Sequence, residues 1–135
     1  MDRLFLDANV LFSAAYRPGA GLVRLWKLKD VTLCSSRYAL EEARINLADE
    51  EQQLRLVALS RSIQLVEAGL GPLPRGIFLP EKDTPIFLAA IAAYATHLLT
   101  GDVRHFGRYF GKKIKGIPIL LPGDYLRERM PDAFE

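Results

Sequence analysis

The chain holds a single cysteine, no apolar run long enough to cross a bilayer, and a formal net charge of only +2. Each lack removes a class of protein. Cys34, being alone, cannot form an internal disulfide, and no neighbour offers it a metal partner or a group that would stabilise its thiolate. It reads as a small buried hydrophobe. The longest apolar run, Ile86 to Ala95, falls short of the roughly 20 residues that a membrane-spanning helix needs. Met1-Asp2-Arg3-Leu4 lacks the basic start and apolar stretch of a signal peptide. These features predict a soluble protein of the reducing cytoplasm. So small a net charge does not by itself announce a nucleic-acid binder, and the distribution of charge matters more than its sum. Internal repeats and low-complexity tracts are also lacking.

What is present is 135 residues, half of them hydrophobic, which predicts one domain over residues 1–135 with enough apolar material for a single core. Its charges are unevenly spread. Residues 41–51 carry Glu41, Glu42, Asp49, Glu50 and Glu51 against Arg44, whereas residues 101–115 carry Arg104, Arg108, Lys112, Lys113 and Lys115 against Asp102. An acidic focus beside a basic flank suits a phosphate-bearing substrate, although two solvated faces would look the same by charge alone.

Residues 3–6 read as a buried strand, followed by a helix from Ala8 to Tyr16 that Pro18 and Gly19 end. Leu22, Leu25, Trp26 and Leu28 predict a second helix through Lys29, with Trp26 in the core rather than serving as a base-stacking platform. Val31 to Cys34 is the next strand, and Ser35-Ser36 caps a helix carrying Tyr38, Leu40, Ala43, Ile45 and Leu47. Asp49 with Gln52 three residues later resembles a capping box opening a helix through Arg61. Ile63 to Val66 follows as a third strand. The glycines and prolines of residues 69–76 predict a loop, after which Thr84 as N-cap and Pro85 in the first turn restart a helix. Leu98 and Leu99 form a fourth strand, residues 104–110 a short helix, Ile117 to Leu121 a fifth strand, and Asp124 to Met130 a last helix before a frayed end. Alternating strands and helices predict an α/β fold, a parallel sheet of about five strands between helical layers.

Onto that frame fall acidic residues at the edges of apolar stretches: Asp7, Glu41 or Glu42, Asp83 and Asp102. In an open parallel sheet, the crevice outside the carboxyl ends of the strands is where ligands bind. Carboxylates gathered there repel one another unless cations hold them, and oxygen-rich clusters suit Mg²⁺ or Mn²⁺. Each residue has a blander use. Asp7 can cap the following helix, Asn9 and Thr100 can be local turn formers, and His105 can be an exposed helical residue.

Asp7-Ala8-Asn9-Val10-Leu11, the segment from Asp83-Thr84-Pro85 through Ile91, and Thr100-Gly101-Asp102 together resemble the PIN domain. This nuclease family is named after the amino-terminal domain of a pilus-associated ATPase. The resemblance covers almost the whole chain. It implies a three-layer α/β/α fold, with Asp7, Asp83 and Asp102 as the first, third and fourth acids and Asn9 and Thr100 as polar companions. The second acid in related sequences lies about two turns into the helix after strand two, which selects Glu42; Glu41 has Arg44 beside it as an ordinary surface partner. Many relatives carry one further acid where this chain has His105.

That resemblance implies a Mg²⁺- or Mn²⁺-dependent endoribonuclease cutting single-stranded RNA, like the toxins of toxin–antitoxin pairs. Asp7, Glu42, Asp83 and Asp102 would hold the cation, and Arg104, Arg108, Lys112, Lys113 and Lys115 would guide the RNA backbone. Hydrolysis would use water without a covalent enzyme intermediate, leaving 5′-phosphate and 3′-hydroxyl ends. Partners would be the RNA, an antitoxin protein and a second copy of the chain, since family members often form homodimers. The alternative is a non-catalytic PIN-like module that binds RNA or a protein. A phosphotransfer receiver lacks support because the acidic pair after its first strand is missing, and an Asp-x-Asp phosphatase because Asn9 stands where its second acid belongs.

Overall fold

The computed structural model describes residues 1–67 and 71–130. Asp2–Leu6 forms strand β1, in which Leu4, Phe5 and Leu6 are completely buried. A strand covered on both faces reads as a continuous apolar run, so β1 belongs at the centre of a sheet. It pairs in parallel with β2 (Val31–Ser36) on one side and with β4 (His97–Leu99) on the other, setting Leu4 opposite Leu33 and Leu6 opposite Leu99. β3 (Ile63–Val66) extends the sheet beyond β2, and β6 (Ile117–Leu120) extends it beyond β4, again in parallel. A two-residue strand, β5 (Lys113–Ile114), completes the order β3-β2-β1-β4-β6-β5.

That last strand departs from the all-parallel sheet of about five strands that the sequence predicts: β5 is a sixth strand and runs antiparallel to β6. Lys115 and Gly116 join them with φ of 54° and 77°, the left-handed pair that a tight two-residue hairpin turn requires. Two residues carry too little pattern to announce a strand.

Helices α1 (Ala8–Ala15), α2 (Arg37–Asn46) and α3 (Glu50–Ser60) connect β1 to β2 and β2 to β3, moving outward along the sheet. α4 (Thr84–Ala92) then carries the chain back across to β4. Because parallel crossovers are right-handed, outward and returning helices fall on opposite faces, which gives the three layers. α5 (Val103–Phe106) and α6 (Pro122–Arg129) complete the fold.

The predicted capping box is present: Asp49 Oδ1 accepts from Glu51 N at 2.7 Å while Gln52 Oε1 accepts from Asp49 N at 3.3 Å. Other boundaries shift. Residues Gly21–Lys27 form a 3-10 helix rather than an α-helix. Leu22, Leu25 and Leu28 recur every three residues, and three per turn is the 3-10 repeat. Thr84 does not cap α4; a 3-10 turn at Glu81–Asp83 precedes it, and Asp83 holds the cap position without a side-chain cap bond. The predicted helix over residues 104–110 is split at Gly107 into α5 and a 3-10 turn, and α6 starts two residues early at Pro122. Gly69 and Leu70 of the predicted loop, and the frayed end after Met130, lie outside the described residues. Trp26 packs against the core, its indole N–H donating to Leu59 O at 3.0 Å. No helix among the described residues is long and apolar enough to cross a membrane.

Candidate metal centre

Strand order reverses between β1, which leads outward to β2 and β3, and β4, which leads the other way to β6. Beyond the carboxyl ends of these two strands lies the crevice of such a sheet. Asp7 is the residue just past β1, tied to β4 by its backbone N–H, which donates to Leu99 O at 3.1 Å. Its side chain does cap α1, with Oδ1 accepting from Ala8 N at 2.7 Å. Capping uses one oxygen only. The other, Oδ2, accepts from Thr100 Oγ1 at 2.8 Å and from Asn9 Nδ2 at 3.2 Å.

Asn9 and Thr100 therefore bond across the fold rather than only to their own turns. Thr100, fully buried, donates to Asp7 and accepts from Asn9 Nδ2 at 3.2 Å and from Asp102 N at 3.1 Å. The other end of the Asn9 amide, Oδ1, accepts from Gly101 N at 2.7 Å. A side chain at 101 would crowd this contact, since a Cβ there would come within 3.3 Å of Asn9 Oδ1.

Asp102 opens α5, its Oδ1 accepting from His105 N at 3.1 Å, and the helical turn brings the His105 ring back over the same carboxylate. His105 Nδ1 lies 2.8 Å from Asp102 Oδ2 and 2.7 Å from Asp83 Oδ2. The blander reading of His105 is thus corrected: its side chain is only 18% exposed and bridges two acids. Both contacts are short, yet neither Nδ1 nor Asp83 Oδ2 makes a directed hydrogen bond with any described residue. What they lack is alignment, not proximity.

Glu42 is half-buried on α2, and with Asp7, Asn9, Asp83 and Asp102 it lines a cleft of about 350 Å³ rimmed by Phe12, Asn46 and Lys82. Glu41 points outward, where its carboxylate meets the Arg44 guanidinium at 2.5 and 2.8 Å. Arg104, Arg108, Lys112, Lys113 and Lys115 are all exposed, and none of them lines the cleft.

Burial first, and the neighbouring carboxylates second, shift the titration of these groups. Burial pushes the Asp7 carboxyl up to about 6, helped by the charges of Asp83 and Glu42 and opposed by its bonds to Thr100 and Ala8. Burial likewise raises Asp83, with Asp102 adding to the effect and His105 and Lys82 opposing it. Even Tyr38 on α2, whose hydroxyl donates to Lys82 O at 3.2 Å, is raised by burial and by the charges of Glu42, Asp83 and Asp7.

The donor set fits a divalent cation. One ligand atom each from Asp83, Asp102 and His105 all lie within 4.8 Å of one another, close to the span of two metal–oxygen bonds of roughly 2.1 Å. Asp83 Oδ2 and His105 Nδ1, buried and without aligned partners, are the atoms such an ion would satisfy. Sequence reasoning noted His105 at the place of a further acid without giving it a role in the site, and it passed over Lys82 and Asn46. The available signals were local: His105 stands one helical turn after Asp102, Asn46 one turn after Glu42, and Lys82 immediately before Asp83.

The described residues make a PIN-like three-layer α/β/α fold, and the cleft lies at the switch point of its sheet. The chain is similar to one in the crystal structure of VapBC2 from Rickettsia felis bound to a DNA fragment from their promoter. The two share 17% identity at a TM-score of 0.62, over 87% of this chain and 96% of that one. At such identity the likeness is one of fold. No family model and no curated protein matches the sequence.

Proposed function

We propose that the chain is a metal-dependent endoribonuclease that hydrolyses single-stranded RNA as the toxin of a toxin–antitoxin pair. The observation that carries this reading is the meeting of Asp7, Glu42, Asp83 and Asp102, borne on separate elements, around one open cleft. Mutual repulsion makes that arrangement costly without a cation, and the caps that Asp7 and Asp102 provide use only one oxygen of each carboxylate. Sharing a fold with a chain of VapBC2 supports an antitoxin protein as partner; a homodimer is the further assembly we propose.

Those four acids would hold Mg²⁺ or Mn²⁺. When bound, the cation supplies Lewis acidity, acidifying water and offsetting charge that develops on the phosphate. The chain's own residues do the rest. Thr100 and Asn9 hold Asp7 Oδ2 and the Ala8 N–H holds Oδ1, so this carboxylate is oriented before a cation enters. Lys82, at the rim, meets a phosphate near the cleft. Arg104, Arg108, Lys112, Lys113 and Lys115 guide the RNA backbone from farther out. Products carry 5′-phosphate and 3′-hydroxyl ends.

The test is cleavage of single-stranded RNA by purified protein with Mg²⁺ or Mn²⁺. Asp7→Asn, Asp102→Asn and Glu42→Gln should each lower the rate by more than about 100-fold, beyond what loss of an outer-sphere contact costs. Their circular-dichroism spectra should stay normal. Glu41→Gln, on the outer side of α2, should cleave like the wild type. RNA binding without metal-dependent cleavage would replace this reading with a non-catalytic module.

A further inference from the structure

We propose that His105 is a metal ligand, its Nδ1 joining Asp83 and Asp102, and that this nitrogen tilts the centre from Mg²⁺ towards transition cations such as Mn²⁺ and Co²⁺. The inference rests on the metal-centre reading above and adds the choice of ion. Three features of the chain support it. First, Nδ1 lies within 2.8 Å of both carboxylates, and the bond from His105 N to Asp102 Oδ1 holds the ring there by backbone geometry. Second, the Asp83 side chain is only 8% exposed, and its Oδ2 faces the ring with no aligned hydrogen-bond donor. Third, a ring N–H acting as counterion would have to be shared between oxygens at 2.7 and 2.8 Å, and it makes a directed hydrogen bond to neither, whereas one cation can meet all three atoms.

Chemistry then selects the ion. Mg²⁺ takes oxygen ligands in a near-ideal octahedron and keeps several waters, so an imidazole nitrogen gains it little. Transition cations accept imidazole alongside carboxylate, with affinity rising from Mn²⁺ to Co²⁺ for a given site. An acid in place of His105 would supply another oxygen and favour Mg²⁺. The chain's other histidine, His97, stands at the far end of β4, where its Nδ1 lies 2.8 Å from Thr96 Oγ1 and its ring packs on Tyr125. It serves as an internal control.

Calorimetry on EDTA-treated protein gives dissociation constants for Mg²⁺, Mn²⁺ and Co²⁺ separately from any nuclease assay. His105→Asp should narrow the preference for Co²⁺ over Mg²⁺ by at least about tenfold, and His105→Gln should weaken Mn²⁺ and Co²⁺ by a similar factor. In Co²⁺-loaded wild-type protein, NMR should show one contact-shifted, solvent-exchangeable imidazole N–H. That resonance should survive His97→Gln and vanish in His105→Gln. It is read on the wild-type fold, so the inference stays testable even if a position-105 variant fails to fold. Unchanged ion preference in His105→Asp, tighter cation binding in His105→Gln, or no shifted resonance would each overturn the role of His105 while leaving the metal centre standing. Failure of the wild type to bind any of the three cations would overturn both.

Discussion

Asp7 divides its carboxylate between a helix cap and a buried contact to Thr100, and the cost of keeping it charged there has a measurable sign. Its pKa, pushed up to about 6 from 3.8, means that the folded chain holds this proton more tightly than the unfolded chain does. Metal-free stability from this group is therefore greatest at low pH, declines as pH rises from about 4 to about 6, and its cost is fully present above that window. A shift of about 2 units corresponds to roughly 3 kcal/mol as an upper limit. Replacing the charge by Asp7→Asn removes the cost but also weakens the bond from Thr100, so a net gain of about 1–2 kcal/mol at pH 7 is expected. Denaturant melts of metal-free wild type and variant at pH 5 and pH 7 check this. A variant no more stable than wild type at pH 7, with the same pH slope, would mean that Asp7 is not strained by its charge. At this scale Asp7, Asp83 and Asp102 were legible as candidates because each borders an apolar stretch. The ligand role of His105 was not, because it depends on Asp83, which lies 22 positions earlier at the start of α4 and meets the ring only when α4 packs back along β4.

Among the elements, those with a local chemical signature were readable and those fixed by tertiary packing were not. β1 announced itself by consecutive hydrophobes, and α3 by the reciprocal side chains of Asp49 and Gln52. The 3-10 helix at Gly21–Lys27 was missed because leucines spaced by three suit either helix type until packing chooses. Thr84 looked like a cap, but its hydroxyl reaches back to Pro80 O at 3.5 Å and leaves the cap position to Asp83. Since α3 contributes no residue to the acidic cleft, its cap separates stability from function. Asp49→Ala should destabilise the fold by about 1 kcal/mol and leave the stabilisation gained from Mn²⁺ unchanged. Thermal melts with and without Mn²⁺ read both effects, and a lost metal response would tie α3 to the centre after all.

Across the whole molecule, the basic residues and the acidic cleft are separate surfaces: Lys112 and Lys113 precede or lie on the edge strand β5, and Lys115 is in the turn after it. If they guide RNA, neutralising Lys112, Lys113 and Lys115 together should lower the slope of log affinity against log salt by up to about 2, at roughly 0.7 per phosphate contact on a single strand. Cation binding at the centre should be unaffected. Fluorescence anisotropy with a labelled single-stranded RNA across a salt series measures it, and an unchanged slope would assign these lysines to solvent.

The order in which the acids occur along the chain has a consequence for its synthesis. They emerge from the ribosome in the order Asp7, Glu42, Asp83 and Asp102, and the last arrives with the strand that must slot in beside the first. Until β4 takes its place, Asp7 has neither Thr100 nor Asp102 near it, so a half-made chain can display the amino-terminal acids but cannot assemble the centre. For a protein whose proposed chemistry would cut messages, including the one being read, this order would act as a delay: the cleft stays blunt until the strand that leads to Asp102 has been laid beside the first.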